Sequence, residues 1–213
     1  MEFTRILAIR HGETTWNQDK RLQGHLDIPL NERGHWQARR AAEVLREEPI
    51  AAVYSSDLSR AHQTACAIAA AQGLSVQAHS GLRERHFGDF QGKTWTELEV
   101  EEPEATQAWR TRVPDFAPHG GGETLLQLRE RIAATLSEIA VRHAGEQIVV
   151  VAHGGVLDIL YRLATGLELQ APRTWTVENA AINRLLWTPE GLSLVGWADS
   201  GHLEAGSDDD VSA

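Results

Sequence analysis

Cysteine occurs once in this chain, at Cys66, so no internal disulfide framework can form. Apolar runs are short, and none approaches the roughly 18 residues that a membrane-crossing helix needs. Cations are scarce beside acids, 20 Lys and Arg against 30 Asp and Glu, for a formal net charge of −10. That balance argues against nucleic acid or an anionic membrane as partner. His, Cys and carboxylate side chains do not recur at metal-ligand spacing, so neither metal nor cofactor is expected. The first apolar run starts too near Met1 to leave room for a removable signal peptide. With the lone cysteine, this favours a reducing cytoplasm.

What is present suits one substantial core. The 213 residues suffice for one such core, and residues 1–205 are read as a single domain, with 206–213 as an acidic, disordered tail. Apolar runs at Ile6–Ile9, Ala51–Tyr54 and Ile148–Val151 read as buried strands. Leu74–Ala78 reads as an edge strand. Asn31 is placed to cap a helix through Ala41 and Leu45. Ser55, Ser56 and Asp57 offer cap oxygens to a second helix, ended by Gly73. Leu125, Leu128, Ile132, Leu136 and Ile139 recur at helical spacing, with Gly145 as the expected C-cap, and Val156–Thr165 continues as helix. Ala181–Trp187 and Leu192–Trp197 bracket Pro189-Glu190-Gly191 as a hairpin. The stretch from Leu82 to Pro118 is irregular, with room for short helices near Trp95 and Trp109, and reads as a lid. The expected fold is an α/β three-layer sandwich: a mainly parallel sheet, helices on both faces and an antiparallel C-terminal edge.

Chemistry concentrates at strand ends. Arg10-His11-Gly12 follows the first strand, and His153-Gly154-Gly155 follows the Ile148–Val151 run. Open α/β sheets bind ligands at their carboxyl edge. If the two strands are neighbours, both imidazoles meet there, although each histidine could instead serve only as a hydrogen-bonding strand end. An imidazole beside a guanidinium suits nucleophilic attack on a clamped phosphate, a metal-independent phosphoryl transfer through phosphohistidine. An acidic protein would repel a phosphate, but screening confines that field to about 8 Å. The site must therefore gather its own arginines, and Arg10 and Arg60 are the candidates. Glu84, in Leu82-Arg83-Glu84-Arg85, could protonate a leaving alkoxide. It could equally do no more than pair with Arg83 or Arg85. Glu13 and Glu123 are weaker rivals.

Other schemes fail. Cys66 lies in an apolar helix, and Gln72 stands where a cysteine phosphatase needs arginine. Asp208-Asp209-Asp210 sit in the tail. Gly88-Asp89-Phe90-Gln91-Gly92-Lys93-Thr94 is one residue short of a P-loop and follows no strand.

The chain resembles the histidine phosphatase superfamily, in its phosphoglycerate-mutase-like branch. The matching segments are Leu7–Asn17, Gln23-Gly24 through Gly34, Ser55–Ala61, Leu82-Arg83-Glu84 with Gly88–Gly92, and Val150–Gly155. The resemblance implies His11 as the nucleophile and Glu84 as the proton donor. It implies Arg10, Arg60 and His153 as phosphoryl ligands with Asn17 and Gly154, and Gln23 and Gly24 at the pocket mouth. Thr96–Pro118 departs from the basic stretch that cofactor-dependent mutases carry there: Glu97, Glu99, Glu101, Glu102, Glu104 and Asp115 outnumber the cations Lys93, Arg110 and Arg112. A phosphatase acting on a small phosphorylated metabolite is therefore expected ahead of a mutase. A non-catalytic phospholigand-binding module is the third reading. Substrate and oligomeric state are left open.

Overall fold

Alternation along the central strand builds the layers. In a computed structural model that describes residues 3–204, Ile6 and Ala8 of β1 (Thr4–Arg10) face one apolar cluster, and Leu7 and Ile9 face another. A period of two is what a strand buried on both faces imposes. The remaining strands are β2 (Ala52–Ser55), β3 (Val76–Ala78), β4 (Gln147–Ala152), β5 (Ile182–Thr188) and β6 (Gly191–Asp199). They form one sheet in the order β3-β2-β4-β1-β5-β6. The pairs β3–β2, β2–β4 and β4–β1 are parallel, while β1–β5 and β5–β6 are antiparallel.

The helices are α1 (Thr15–Gln18), α2 (Glu32–Val44), α3 (Ser59–Gln72), α4 (Trp95–Glu101), α5 (Pro103–Arg110), α6 (Leu125–Ala140) and α7 (Gly154–Thr165). Ala41 of α2 and Ala61, Ala65 and Ile68 of α3 cover the face that carries Leu7, Val149 and Val151. Leu128, Ile132 and Leu136 of α6, with Val156 and Leu160 of α7, cover the face of Ile6, Ile148 and Val150. The α/β sandwich with its antiparallel edge is thus as expected.

Two helix ends differ from the sequence reading. Helix α3 starts one residue after Leu58, which supplies no side-chain cap. Ser56 Oγ instead accepts from Leu58 N at 3.2 Å, and Asp57 turns away to pair with Arg83. Helix α6 ends at Ala140 and tightens into a 3₁₀ turn over Val141–His143, so Gly145 (φ +82°) lies beyond the cap. The capping roles of Asn31 and Gly73 hold. The acidic stretch 206–213 lies outside the described residues.

The 83–118 segment is more ordered than its punctuation suggests. Phe87, Phe90 and Leu98 form a small core of their own with Trp95, Trp109 and Phe116 around them. Gly88–Phe90 is a 3₁₀ turn, and Thr94 caps α4 through a reciprocal box with Glu97.

Candidate active site

Register brings the two histidines together. Arg10 of β1 pairs with Ala152 of β4, and His11 N donates to Ala152 O at 3.0 Å. The next residue on each strand is therefore a histidine leaving the same sheet edge, and the ring centroids of His11 and His153 lie 5.2 Å apart. Both side chains are buried.

The His11 ring is fixed in one tautomer. Its Nδ1 lies 2.7 Å from Gly12 O, and a carbonyl only accepts, so Nδ1 carries the proton and donates it. Nε2 is left with a free lone pair. Burial, and then the fields of Arg60 and Arg10, push the His11 pKa well below the usual 6.5. Burial and the same cations push His153 down as well. Neither ring nitrogen of His153 has a hydrogen-bond partner among the described residues.

Close backbone packing holds the His11 loop. A Cβ on Gly12 would lie 2.4 Å from Gly34 O, and Gly12 N donates to Thr64 Oγ1 at 3.0 Å. Asn179 Nδ2 donates to His11 O at 2.8 Å. Neither Thr64 nor Asn179 was singled out from the sequence.

Arg60, in the first turn of α3, is 1% exposed. Its Nη1 donates to Leu26 O and its Nη2 to Gly24 O, at 2.9 and 2.8 Å. Gly24 sits at φ +53°, where a Cβ would lie 2.3 Å from Gln91 Oε1, so glycine is required there. Burial lowers the Arg60 pKa to about 10. Arg10 is anchored by Nη1 donating to Val177 O at 2.6 Å. Burial also lowers its pKa, and Glu84 opposes that shift. The Nε atoms of both arginines are buried and without partners among the described residues, as is Gln23 Oε1. Buried donors cost free energy unless something accepts from them. A tetrahedral anion in front of His11 is a fitting acceptor.

Glu84 pairs with neither neighbouring arginine. Arg83 is bound to Asp57 at 2.6 Å. Arg85 donates to Glu123 O and Phe116 O and stacks on Trp109 at 4.0 Å. The Glu84 carboxyl accepts instead from Arg85 N at 2.8 Å and from Gly155 N at 3.1 and 3.0 Å. It is Gly155, not Gly154, that touches it. Arg131 braces the loop from behind, donating to Gly81 O, Arg83 O and Glu84 O. The rivals are occupied elsewhere: Glu123 binds Arg131, and Glu13 accepts from Gln18 and Asn31.

Arg10, His11, Asn17, Gln23, Gly24, Arg60 and Glu84 line one cavity of about 340 Å³. His153, expected as a phosphoryl ligand, is not among its lining residues and packs against His11. Asn17 commits its carbonyl to the Thr14 cap. Of the lid aromatics, Phe87 and Trp95 line the cavity, while Phe90 (0% exposed) is core. The acids of the 96–118 segment do not face the cavity. Glu101 and Glu102 hold Lys93, Glu99 holds Arg110, and Glu97 holds Arg21. No residue of the segment, acidic or basic, lines the cavity.

The neutral histidines tie stability to pH. An unfolded histidine titrates near 6.5, so below that pH the unfolded chain binds protons that the folded chain refuses. Stability should therefore rise with pH up to about 6.5 and level off above it, with a limiting slope of about 1.4 kcal/mol per pH unit for each histidine. Urea unfolding at about pH 5.5 and pH 7.5 checks this, and equal stability at both values would contradict it.

Paired histidines at the carboxyl edge of a sheet, joined by two arginines with buried Nε atoms and a carboxyl, define a phosphoryl-handling α/β protein. The chain belongs to the histidine phosphatase superfamily (branch 1), whose family model matches residues 6–200. It is 42% identical to phosphoglycerate mutase-like protein 4 of Arabidopsis thaliana, over 96% of this chain and 89% of that one. It is 41% identical to the metal-independent phosphoserine phosphatase of the same plant, over 96% and 85%. Among solved structures, a mycobacterial glucosyl-3-phosphoglycerate phosphatase superposes with a TM-score of 0.84 at 34% identity, covering 93% of this chain and 100% of that one. Among the described residues, no helix is long and apolar enough to cross a membrane.

Proposed function

We propose that this protein hydrolyses phosphate monoesters of small metabolites through a phosphohistidine on His11, without a metal. The observation that carries the reading is the His11 Nδ1–Gly12 O hydrogen bond, which leaves Nε2 unprotonated among cations. His11 Nε2 attacks phosphorus, and the bond from phosphorus to the ester oxygen breaks as Glu84 passes its proton to that oxygen. Water then attacks phosphorus and gives a proton to Glu84, the P–N bond breaks, and neutral His11 returns. Arg10, Arg60 and His153 donate to the phosphoryl oxygens throughout, the electrostatic part that a metal would otherwise supply. Asn17 and the Gly154 backbone border the same space, and Gln23 and Gly24 shape the mouth.

Hydrolysis is favoured over mutase chemistry by the cavity wall. A mutase must retain a doubly phosphorylated intermediate while it turns over. The 96–118 segment supplies no cation to hold a second phosphate. The relatives named as phosphatases support the same choice. The proposal also holds that residues 1–205 act as one catalytic domain and that the protein works in the cytoplasm.

The test is turnover of p-nitrophenyl phosphate in EDTA, with acid- and base-quenched samples examined for label. Phosphate should appear on His11 as an acid-labile, alkali-stable adduct. Label on another side chain, activity lost on chelation, or isomer exchange of 3-phosphoglycerate without phosphate release would each overturn the reading.

A further inference from the structure

The short stretch Gly24-His25-Leu26 touches two separate parts of the site at once. Arg60 donates to the carbonyls of Gly24 and Leu26, at 2.8 and 2.9 Å. Between them, the half-buried His25 side chain reaches the other part, with its Nε2 2.7 Å from Glu84 O. A carbonyl only accepts, so Nε2 carries the proton and donates it. This is the shorter of two side-chain bonds to that carbonyl, the other coming from Arg131 Nη2 at 3.3 Å. His25 N in turn donates to Gln91 Oε1 at 2.7 Å. The His86 ring meets that of His25 edge-on, with centroids 4.7 Å apart, and Gly88 N donates to His86 Nδ1 at 3.0 Å. A half-buried histidine is common; one engaged through its backbone, its ring nitrogen and a neighbouring ring is held in one orientation. His25 does not line the cavity, so it acts only through what it holds.

We propose that His25 is a positioning residue that sets Glu84 against the Arg60 clamp, so that the carboxyl meets the leaving oxygen. The proposal rests on the phosphatase reading and adds how the proton donor is registered with the phosphoryl group. Arg85 N and Gly155 N hold the carboxyl end of Glu84, and His25 holds its main-chain end. Without the imidazole, the Glu84 carbonyl keeps only the longer bond from Arg131 among the described residues. Glu84 can then tilt while Arg60 stays in place, because the carbonyls that anchor Arg60 are backbone. A general acid contributes its roughly 10²–10⁴-fold only within hydrogen-bond reach of the atom it protonates.

Two esters of similar shape test this. Phenyl phosphate and p-nitrophenyl phosphate differ in how much the departing oxygen needs a proton, because the nitro group stabilises the phenolate. Their kcat/KM values report formation of the phosphohistidine, the step in which that oxygen leaves. His25→Phe should lower kcat/KM by about 30-fold for phenyl phosphate and about 3-fold for p-nitrophenyl phosphate, a share of the general-acid contribution. His25→Gln should recover most of the loss, since a glutamine Nε2 can donate from the place of the imidazole Nε2. With Glu84→Ala in place, His25→Phe should not change the ratio of the two esters further. His25→Ala gives the same comparison where the phenylalanine variant does not fold. An unchanged enzyme, an equal fall for both esters, or no rescue by glutamine overturns the proposal. Failure of the underlying phosphatase reading shows separately, as p-nitrophenyl phosphate turnover that survives loss of His11.

Discussion

Replacing His11 by alanine should lower kcat on p-nitrophenyl phosphate by about 10⁴-fold or more, the scale seen when a covalent nucleophile is removed. The other imidazole at this edge, His153, is fully buried, and no hydrogen bond among the described residues fixes its tautomer. Binding should suffer far less, since Arg10, Arg60 and His153 still offer their buried donors to an anion. Orthovanadate or inorganic phosphate should therefore protect His11→Ala against urea as well as it protects the parent chain. The variant should also lose part of the acid sensitivity described above, because one neutral buried histidine is gone. Turnover within ten-fold of the parent would remove His11 from the chemistry.

Gly155→Ala should cost about 10²-fold in kcat, the penalty of a reacting group displaced by roughly an ångström. An alanine Cβ there would lie 2.3 Å from Glu84 Oε1 and 3.2 Å from its carboxyl carbon. The carboxyl must move away, and with it the proton that the leaving oxygen receives. Stability should hold or rise, because alanine suits the first turn of α7 better than glycine. Loss of rate without loss of stability thus separates displacement of Glu84 from misfolding. At Gly154 the nearest atom to an added Cβ is Arg10 Nε at 3.6 Å, an ordinary contact, so Gly154→Ala should cost much less. Adding Gly155→Ala to Glu84→Ala should cost little further, because both act on one group. Equal losses at Gly154 and Gly155 would contradict this account of how Glu84 is held.

The parts legible in the sequence were those written locally. The apolar runs at Ile6–Ile9 and Ile148–Val151 announced two buried strands, and a histidine directly after each announced a shared edge. Helix α6 was plain from its spacing. Arg60 and Glu84 were candidates from the residues alone, but only the resemblance set them above a bland alternative, because a lone arginine on a helix and a glutamate between two arginines look like solvated surface. Asp57 takes Arg83, and backbone carbonyls take Arg85, which frees Glu84. These partners lie 26 or more residues away. The same holds for Gly155 against Glu84 and for Asn179 against His11, separated by 71 and 168 positions. The lid misled in a different way. Its acids suggested a wall unable to hold a second phosphate, yet Glu97, Glu99, Glu101 and Glu102 pair with nearby cations and no acid of the segment lines the cavity. Composition counts charges, but only coordinates say which way they face.

Strand β1 carries the first histidine to be synthesised, yet both of its sheet neighbours, β4 and β5, come from the last third of the chain. His11 therefore has no wall on either side until residues 147–188 have been made and docked. A nascent chain or a fragment stopped before β4 would hold the imidazole in water, without the burial that does most to lower its pKa. The reactive centre is thus assembled late, by the closure of long loops that slow the approach to the native topology. Competence for phosphoryl transfer should arrive together with the final protected amides of β5, rather than with early collapse of the helices.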